Sequence, residues 1–130
     1  MSAQDKGKIL VTGGSGQLAV SLETLGQGRV IRVGRPEFDF DDPETIAAAI
    51  ARYRPEIVVN AAAWTAVVLA EAEKEGAARA NESGPAELAR ACAAAGIPLI
   101  HVSTDYVFSG DKGAPYLETD PVSPETVYGS

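Results

Sequence analysis

Residues 8–19 read KILVTGGSGQLA. Ile9, Leu10 and Val11 run straight into a glycine-rich turn, and a helical pattern follows it. A short strand that is apolar on both faces belongs to a parallel sheet covered by helices on either side. The turn, TGGSGQLA at 12–19, has the form Gly-x-x-Gly-x-x-Ala over Gly13, Gly16 and Ala19. Small residues there let the chain turn sharply, let a pyrophosphate approach the backbone, and let the helix pack closely on the sheet. The helix N-terminus then faces the phosphates. A glycine-rich turn without a ligand has the same composition. Its place between the first strand and the first helix is what points to a dinucleotide. No Gly-Lys-Ser/Thr follows, so a Walker A loop is excluded.

Outward from this turn, helical and strand patterns alternate. Leu18, Leu22 and Leu25 recur at helical spacing, with Gly26 as a stop. RVIRVG, 29–34, reads as a second strand. The stretch 41–55 reads as a helix with Asp42 as N-cap, Pro43 in its first turn and Ile46, Ile50 and Tyr53 on one stripe. EIVVNAAA, 56–63, is a third strand that breaks into a loop of small residues. A helical region follows over 67–95, kinked or divided at Gly84-Pro85 and ended by Gly96. IPLIHVST, 97–104, is a fourth strand. A loop rich in Gly, Pro and Asp occupies 105–125, and a new helix begins near Pro124 with Tyr128 in its first turns. With right-handed crossovers this order predicts an α/β fold: a doubly wound parallel sheet of Rossmann type, one domain over 1–130.

The 130 residues carry a net charge of -7, and the acidic residues are spread along the chain. With no basic stripe, the charge argues against a nucleic-acid partner and against an anionic membrane surface. An anionic small molecule remains open, because backbone N–H groups and an arginine bind phosphate in an acidic protein. Cys92 is the single cysteine, which rules out an internal disulfide and a zinc cluster. No metal site is expected, and a reducing cytoplasm fits. The start, MSAQDKGK, is polar and lacks a secretory apolar segment. No apolar run approaches the ~18 residues that a membrane span needs.

The ends of strands two to four hold the other candidate residues. Arg35 stands where it meets the 2′-phosphate of NADPH, or is a solvated surface arginine. Asp39 and Phe40 flank an adenine, or Phe40 is core. In NAAAWT, 60–65, small residues let a dinucleotide cross the strand ends, and Trp64 is either a wall of that site or a core plug. Ser103 and Thr104 finish the fourth strand, at the sheet edge where ligands bind in such folds. A hydroxyl there hydrogen-bonds a substrate carbonyl, and Tyr128 returns to the same point. Tyrosine at ~10 is too weak an acid for easy proton transfer near neutrality, and a lysine one helical turn later would lower it. His101 reads as a strand-end or core histidine, and Cys92 as a small buried hydrophobe. Asn81 supports the site through the backbone or faces solvent.

Gly13-x-x-Gly16, NAAAWTAV at 60–67, STDYVF at 103–108 and VYGS at 127–130 together resemble the extended short-chain dehydrogenase/reductase superfamily. Within it they are most similar to the dTDP-4-dehydrorhamnose reductase family, and STDYVF is the most specific piece. The resemblance covers essentially the whole chain. It implies reduction of the 4-keto group of dTDP-4-dehydro-L-rhamnose by NADPH or NADH, the last step of dTDP-L-rhamnose synthesis. It implies Thr104 as the residue that orients the keto oxygen and Tyr128 as the proton donor. The cofactor set is then Gly13, Gly16, Gln17, Leu18, Arg35, Asp39, Phe40, Ala63, Trp64, Thr65 and Tyr128. Thr104 and Asp105 form the substrate set. Asp105 and Tyr106 touch the sugar nucleotide or only shape the loop. The resemblance leaves room for a homodimer.

Two departures stand beside it. The family's lysine, one turn after the tyrosine, falls at position 132, past Ser130. The expectation is therefore an N-terminal cofactor-binding portion with little or no activity of its own and an open sheet edge prone to self-association. Val68-Leu69 also stands where the family has Asp-Lys. Two other readings of the same fold stay open. One is a non-catalytic NADP-binding regulatory subunit, as in methionine adenosyltransferase. The other is a nucleotide-sugar epimerase or dehydratase.

Overall fold

Four short apolar runs become four parallel strands. The computed structural model describes residues 7–130. The elements are β1 (Ile9–Val11), α1 (Gln17–Leu25), β2 (Val30–Arg32), α2 (Glu44–Tyr53), β3 (Ile57–Asn60), α3 (Val67–Ala72), α4 (Lys74–Ala78), α5 (Gly84–Ala95) and β4 (Leu99–His101). The sheet order is β2-β1-β3-β4. Leu10 lies in register with Ile31 on one side and Val58 on the other, and Val59 with Ile100. This is the doubly wound sheet expected from the alternation. The chain leaves β1 toward one edge and returns to β3 on its other side, so a crevice opens between the carboxyl ends of β1 and β3. That reversal point is where ligands sit in open α/β sheets.

Leu10 and Val58 project to one face of the sheet and are fully buried there. Ile46, Ala49 and Ile50 of α2 close over them, beside Leu88 and Cys92 of α5. Each large aliphatic side chain so buried contributes about 1.5–3 kcal/mol. The expected α2 stripe is thus the core face, with Tyr53 partly buried at its end. Val11 points to the opposite face from Leu10 and is equally buried, so both faces are covered.

Three local expectations change. Asp42 does not cap α2 with its side chain; no side chain caps that helix. Its backbone carbonyl instead accepts from the Thr45 N–H at 3.1 Å and from Thr45 Oγ1 at 2.7 Å. The 67–95 region breaks at Glu73 and widens into a π-helical turn over Arg79–Ser83. Gly84-Pro85 directly follows this widened turn, with Ser83 and Gly84 both in the right-handed helical region, and the proline stands in the first turn of α5 as the path continues. A Cβ on Gly84 would lie 2.3 Å from Phe40 Cγ, so the aromatic ring needs a glycine beneath it. Gly96 ends α5 in the left-handed conformation, as expected. The helix expected near Pro124 is one turn that starts later. Ser130 N donates to the Thr126 carbonyl and Gly129 N to Thr126 Oγ1, each at 3.0 Å.

The 105–125 loop is built rather than loose. A 3-10 turn over Asp105–Val107 begins it. Phe108 stacks on Tyr116 with centroids 4.3 Å apart. Tyr116 Oη accepts from the N–H groups of Gly110 at 2.9 Å and Lys112 at 3.2 Å. Lys112 pairs with Asp120, and Ser123 N donates to the Val107 carbonyl at 2.8 Å. Beside it, Ile100 of β4 and Val102 just past the strand stand half-exposed. Among the described residues no helix is long and apolar enough to cross a membrane.

Candidate functional site

Each apolar strand at the crevice ends on a polar residue, and these residues tie the strand ends together. Thr12, after β1, is fully buried and donates through Oγ1 to Asn60 Oδ1 at 2.5 Å. The same hydroxyl accepts from the N–H groups of Ala61 and Ala62, both at 3.2 Å. Asn60 Nδ2 donates to His101 Nδ1 at 3.0 Å. Sequence reasoning passed over Thr12 and Asn60; the signal was a polar side chain ending an apolar run. His101 is an exposed strand-end residue in this network.

The glycine loop lies directly above. Gly13 has φ +106, and a Cβ there would stand 2.8 Å from the Ala61 carbonyl oxygen. Only glycine lets the two loops approach so closely. Gly14 N donates to the Val33 carbonyl at 2.9 Å. Gly16 is the extended N-cap of α1, and no side chain caps the first turn. Its leading N–H groups are therefore available to an anion, as a bound pyrophosphate requires.

A cavity of about 350 Å³ opens at these strand ends. Its lining includes Leu18, Ala63, Thr65, Asn81, Thr104 and Tyr128. Five of these, all but Asn81, belong to the cofactor and substrate sets expected from the sequence, and they share one cavity with it. Ser103, the other hydroxyl of that strand end, lines it too. Tyr128 is held from several sides. Val127 N donates to Glu71 Oε1 at 2.9 Å, and the Tyr128 ring packs edge-on against Tyr106 at 5.2 Å. Gly129 is buried under the Tyr106 carbonyl, where a Cβ would come within 2.2 Å of the oxygen. Thr104 accepts the Tyr106 N–H through Oγ1 at 3.3 Å, which sets the 3-10 turn that carries Tyr106.

Other predicted residues lie outside the cavity lining. Gly13, Gly16 and Gln17 form the glycine turn and helix start beside it. Asp105 is exposed on the 3-10 turn. Phe40 packs against the core and edge-on to Phe38 at 5.3 Å. Trp64 leans on α4, where a Cβ on Gly76 would be 3.2 Å from its ring, and its Nε1 donates to the Ala66 carbonyl at 3.0 Å. Arg35 is paired with Asp39 at 3.1 Å and Asp41 at 2.9 Å. Asn81, which does line the cavity, also holds the backbone of Trp64. Val68 and Leu69 are exposed on α3.

The family described as RmlD substrate binding domain matches residues 7–130. A dTDP-4-dehydrorhamnose reductase of Streptomyces griseus is 46% identical, covering 99% of this chain and 43% of that protein. A dTDP-4-keto-6-deoxy-D-glucose reductase of Streptomyces niveus is 41% identical, covering 92% of this chain and 43% of that protein. The structure of a dTDP-4-dehydrorhamnose reductase of Bacillus anthracis in complex with NADP superimposes with a TM-score of 0.90 at 30% identity, over 95% of this chain and 46% of that one. The chain therefore spans less than half the length of these relatives. Its glycine turn, its strand-end hydroxyls and its match over every described residue agree, and the chain belongs to the RmlD substrate binding domain family.

Proposed function

We propose that residues 1–130 form the NAD(P)H-binding part of a reductase that converts dTDP-4-dehydro-L-rhamnose into dTDP-L-rhamnose. One observation carries this reading: Thr104, three residues past β4 at the start of the 3-10 turn, and Tyr128, beyond the long loop, line one cavity at the carboxyl edge of the sheet. The relatives' names support it, and the complex of the Bacillus anthracis protein with NADP supports the cofactor.

The residues present fit a dinucleotide, because α1 begins in an uncapped turn behind a glycine loop. Gly13, Gly16, Gln17 and Leu18 would hold the pyrophosphate. Ala63, Trp64, Thr65, Arg35, Asp39 and Phe40 complete the cofactor's surroundings. Bound NADPH or NADH supplies hydride to the keto carbon. The Thr104 hydroxyl hydrogen-bonds the keto oxygen and fixes its direction. Tyr128 Oη gives its proton to that oxygen, so the C=O bond ends as a secondary alcohol. Proton donation of this kind contributes about 10²–10⁴-fold to the rate. Asp105 contacts the sugar from the 3-10 turn. The setting this reading carries is a cytoplasmic protein, monomeric or homodimeric.

The test mixes the product of the reading frame continued past Ser130 with NADPH and dTDP-4-dehydro-L-rhamnose, and follows reduced-nicotinamide absorbance. Consumption matched by dTDP-L-rhamnose supports the reading. NADPH bound but not consumed supports a regulatory module instead. Cofactor that is held and recycled supports an epimerase or dehydratase.

A further inference from the structure

Two arginines stand near the loop after β2, and one carboxylate holds both. Asp41 Oδ2 accepts from Arg35 Nη2 at 2.9 Å, and Asp41 Oδ1 accepts from Arg79 Nε at 2.6 Å. Arg35 Nε also donates to Asp39 Oδ1 at 3.1 Å. The cluster therefore balances two cations against two anions. In this fold the loop after the second strand meets the adenosine ribose, and an arginine there accommodates a 2′-phosphate. A guanidinium fork suits a carboxylate and a phosphate alike. Here Arg35 of that loop, together with Arg79 from the π-helical turn, is already closed by an internal anion.

We infer that Asp41 is a cofactor-specificity residue: by occupying Arg35 and Arg79 it stands where a 2′-phosphate would draw them, and so holds back preference for NADPH over NADH. The inference rests on the cofactor-binding reading above. All three side chains are substantially exposed, with Arg35 at 69%, Arg79 at 49% and Asp41 at 44%. Exchanging one anion for another thus needs side-chain rotation and no opening of the core. The hydrogen bond from Arg79 holds the Asp41 carboxyl below its usual range, with Arg35 adding to the effect, so the internal anion is present at neutral pH.

The experiment measures Kd for NADPH and NADH by nicotinamide fluorescence on this chain, on D41N and on D42N. Asp42 is exposed and lies outside both ion pairs. The unaltered chain should prefer NADPH by less than about tenfold, and D41N should raise the NADPH-to-NADH affinity ratio by about tenfold, the effect of one charge at close range. D42N removes the same charge nearby and should leave the ratio within about twofold. Adding R35Q to D41N should return most of the gain. A D41N ratio equal to that of the unaltered chain or of D42N overturns the inference and leaves the cofactor reading intact. A preference for NADPH of about a hundredfold in the unaltered chain overturns it without any variant. Failure of both nucleotides to bind the unaltered chain removes the cofactor reading itself, and the inference with it.

Discussion

Asn81 Oδ1 accepts the backbone N–H of Trp64 at 2.7 Å, and Asn81 Nδ2 donates to the backbone carbonyl of the same residue at 3.0 Å. One amide side chain closes both hydrogen-bonding groups of a residue 17 positions away. Asn81 reaches that loop from the π-helical turn, whose wider winding interrupts the regular helix there.

Asn81→Leu leaves both Trp64 groups without a partner at a partly buried site. An unmade bond of this kind costs about 1–3 kcal/mol each. Urea unfolding should show a lower midpoint with an unchanged slope. Asn81→Asp keeps one acceptor and should lose less. Equal loss in the two variants would mean that the bond from the Trp64 N–H contributes nothing.

Gly13→Ala and Gly96→Ala both place a side chain at positive φ, yet they should differ. At Gly96, φ is +67 and nothing lies within 4 Å of the added Cβ, so the cost is that of a left-handed alanine, about 1–2 kcal/mol. At Gly13 the Cβ also strikes the Ala61 carbonyl and pushes the glycine turn from the NAAA loop. Gly13→Ala should weaken NADPH binding, and Gly96→Ala should not. Fluorescence titration beside thermal unfolding separates the two effects.

Tyr128→Phe keeps the ring that packs on Tyr106 and removes only the hydroxyl. In the continued protein, turnover should fall by about 10²–10⁴-fold while the Kd for NADPH stays within about twofold. Thr104→Val should lower kcat as well, and should also loosen the 3-10 turn whose Tyr106 N–H it accepts. Single-turnover measurements beside binding check both. Full turnover in Tyr128→Phe would place the proton donor elsewhere.

Cys92 is buried to 1% exposure, and burial pushes its thiol above the ordinary value of 9.0. The folded state thus favours the neutral thiol. Its contribution to stability is complete below pH 9.0 and declines as pH rises from there through the folded-state value. The native thiol should react with Ellman's reagent only as fast as the chain opens. Rapid reaction in native buffer would show that the α2–α5 packing opens readily. Cys92→Ala should cost about 1 kcal/mol or more and abolish the steeper fall in stability above pH 9.0.

The local sequence patterns carried far in this chain. Apolar runs of strand length, helical spacing in 44–53, and Gly-x-x-Gly after the first strand are all written in neighbouring residues, and each became the expected element. Thr104 and Tyr128, paired in the sequence reading, line one cavity at the carboxyl edge of the sheet, the edge where ligands gather in this fold.

What the sequence determined by itself is the set of elements and the edge where chemistry gathers, because period and turn composition are properties of adjacent residues. Only the tertiary structure decided how distant side chains share partners. It widened the helix at 79–83 so that Asn81 meets Trp64, left Gly84 room for the Phe40 ring, joined Thr12 to Asn60, and closed Arg35 and Arg79 on Asp41. All of these contacts except Arg35–Asp41 pair residues far apart in the chain. A one-dimensional pattern does not encode which of several polar groups of matching chemistry the folded backbone will bring within hydrogen-bonding distance.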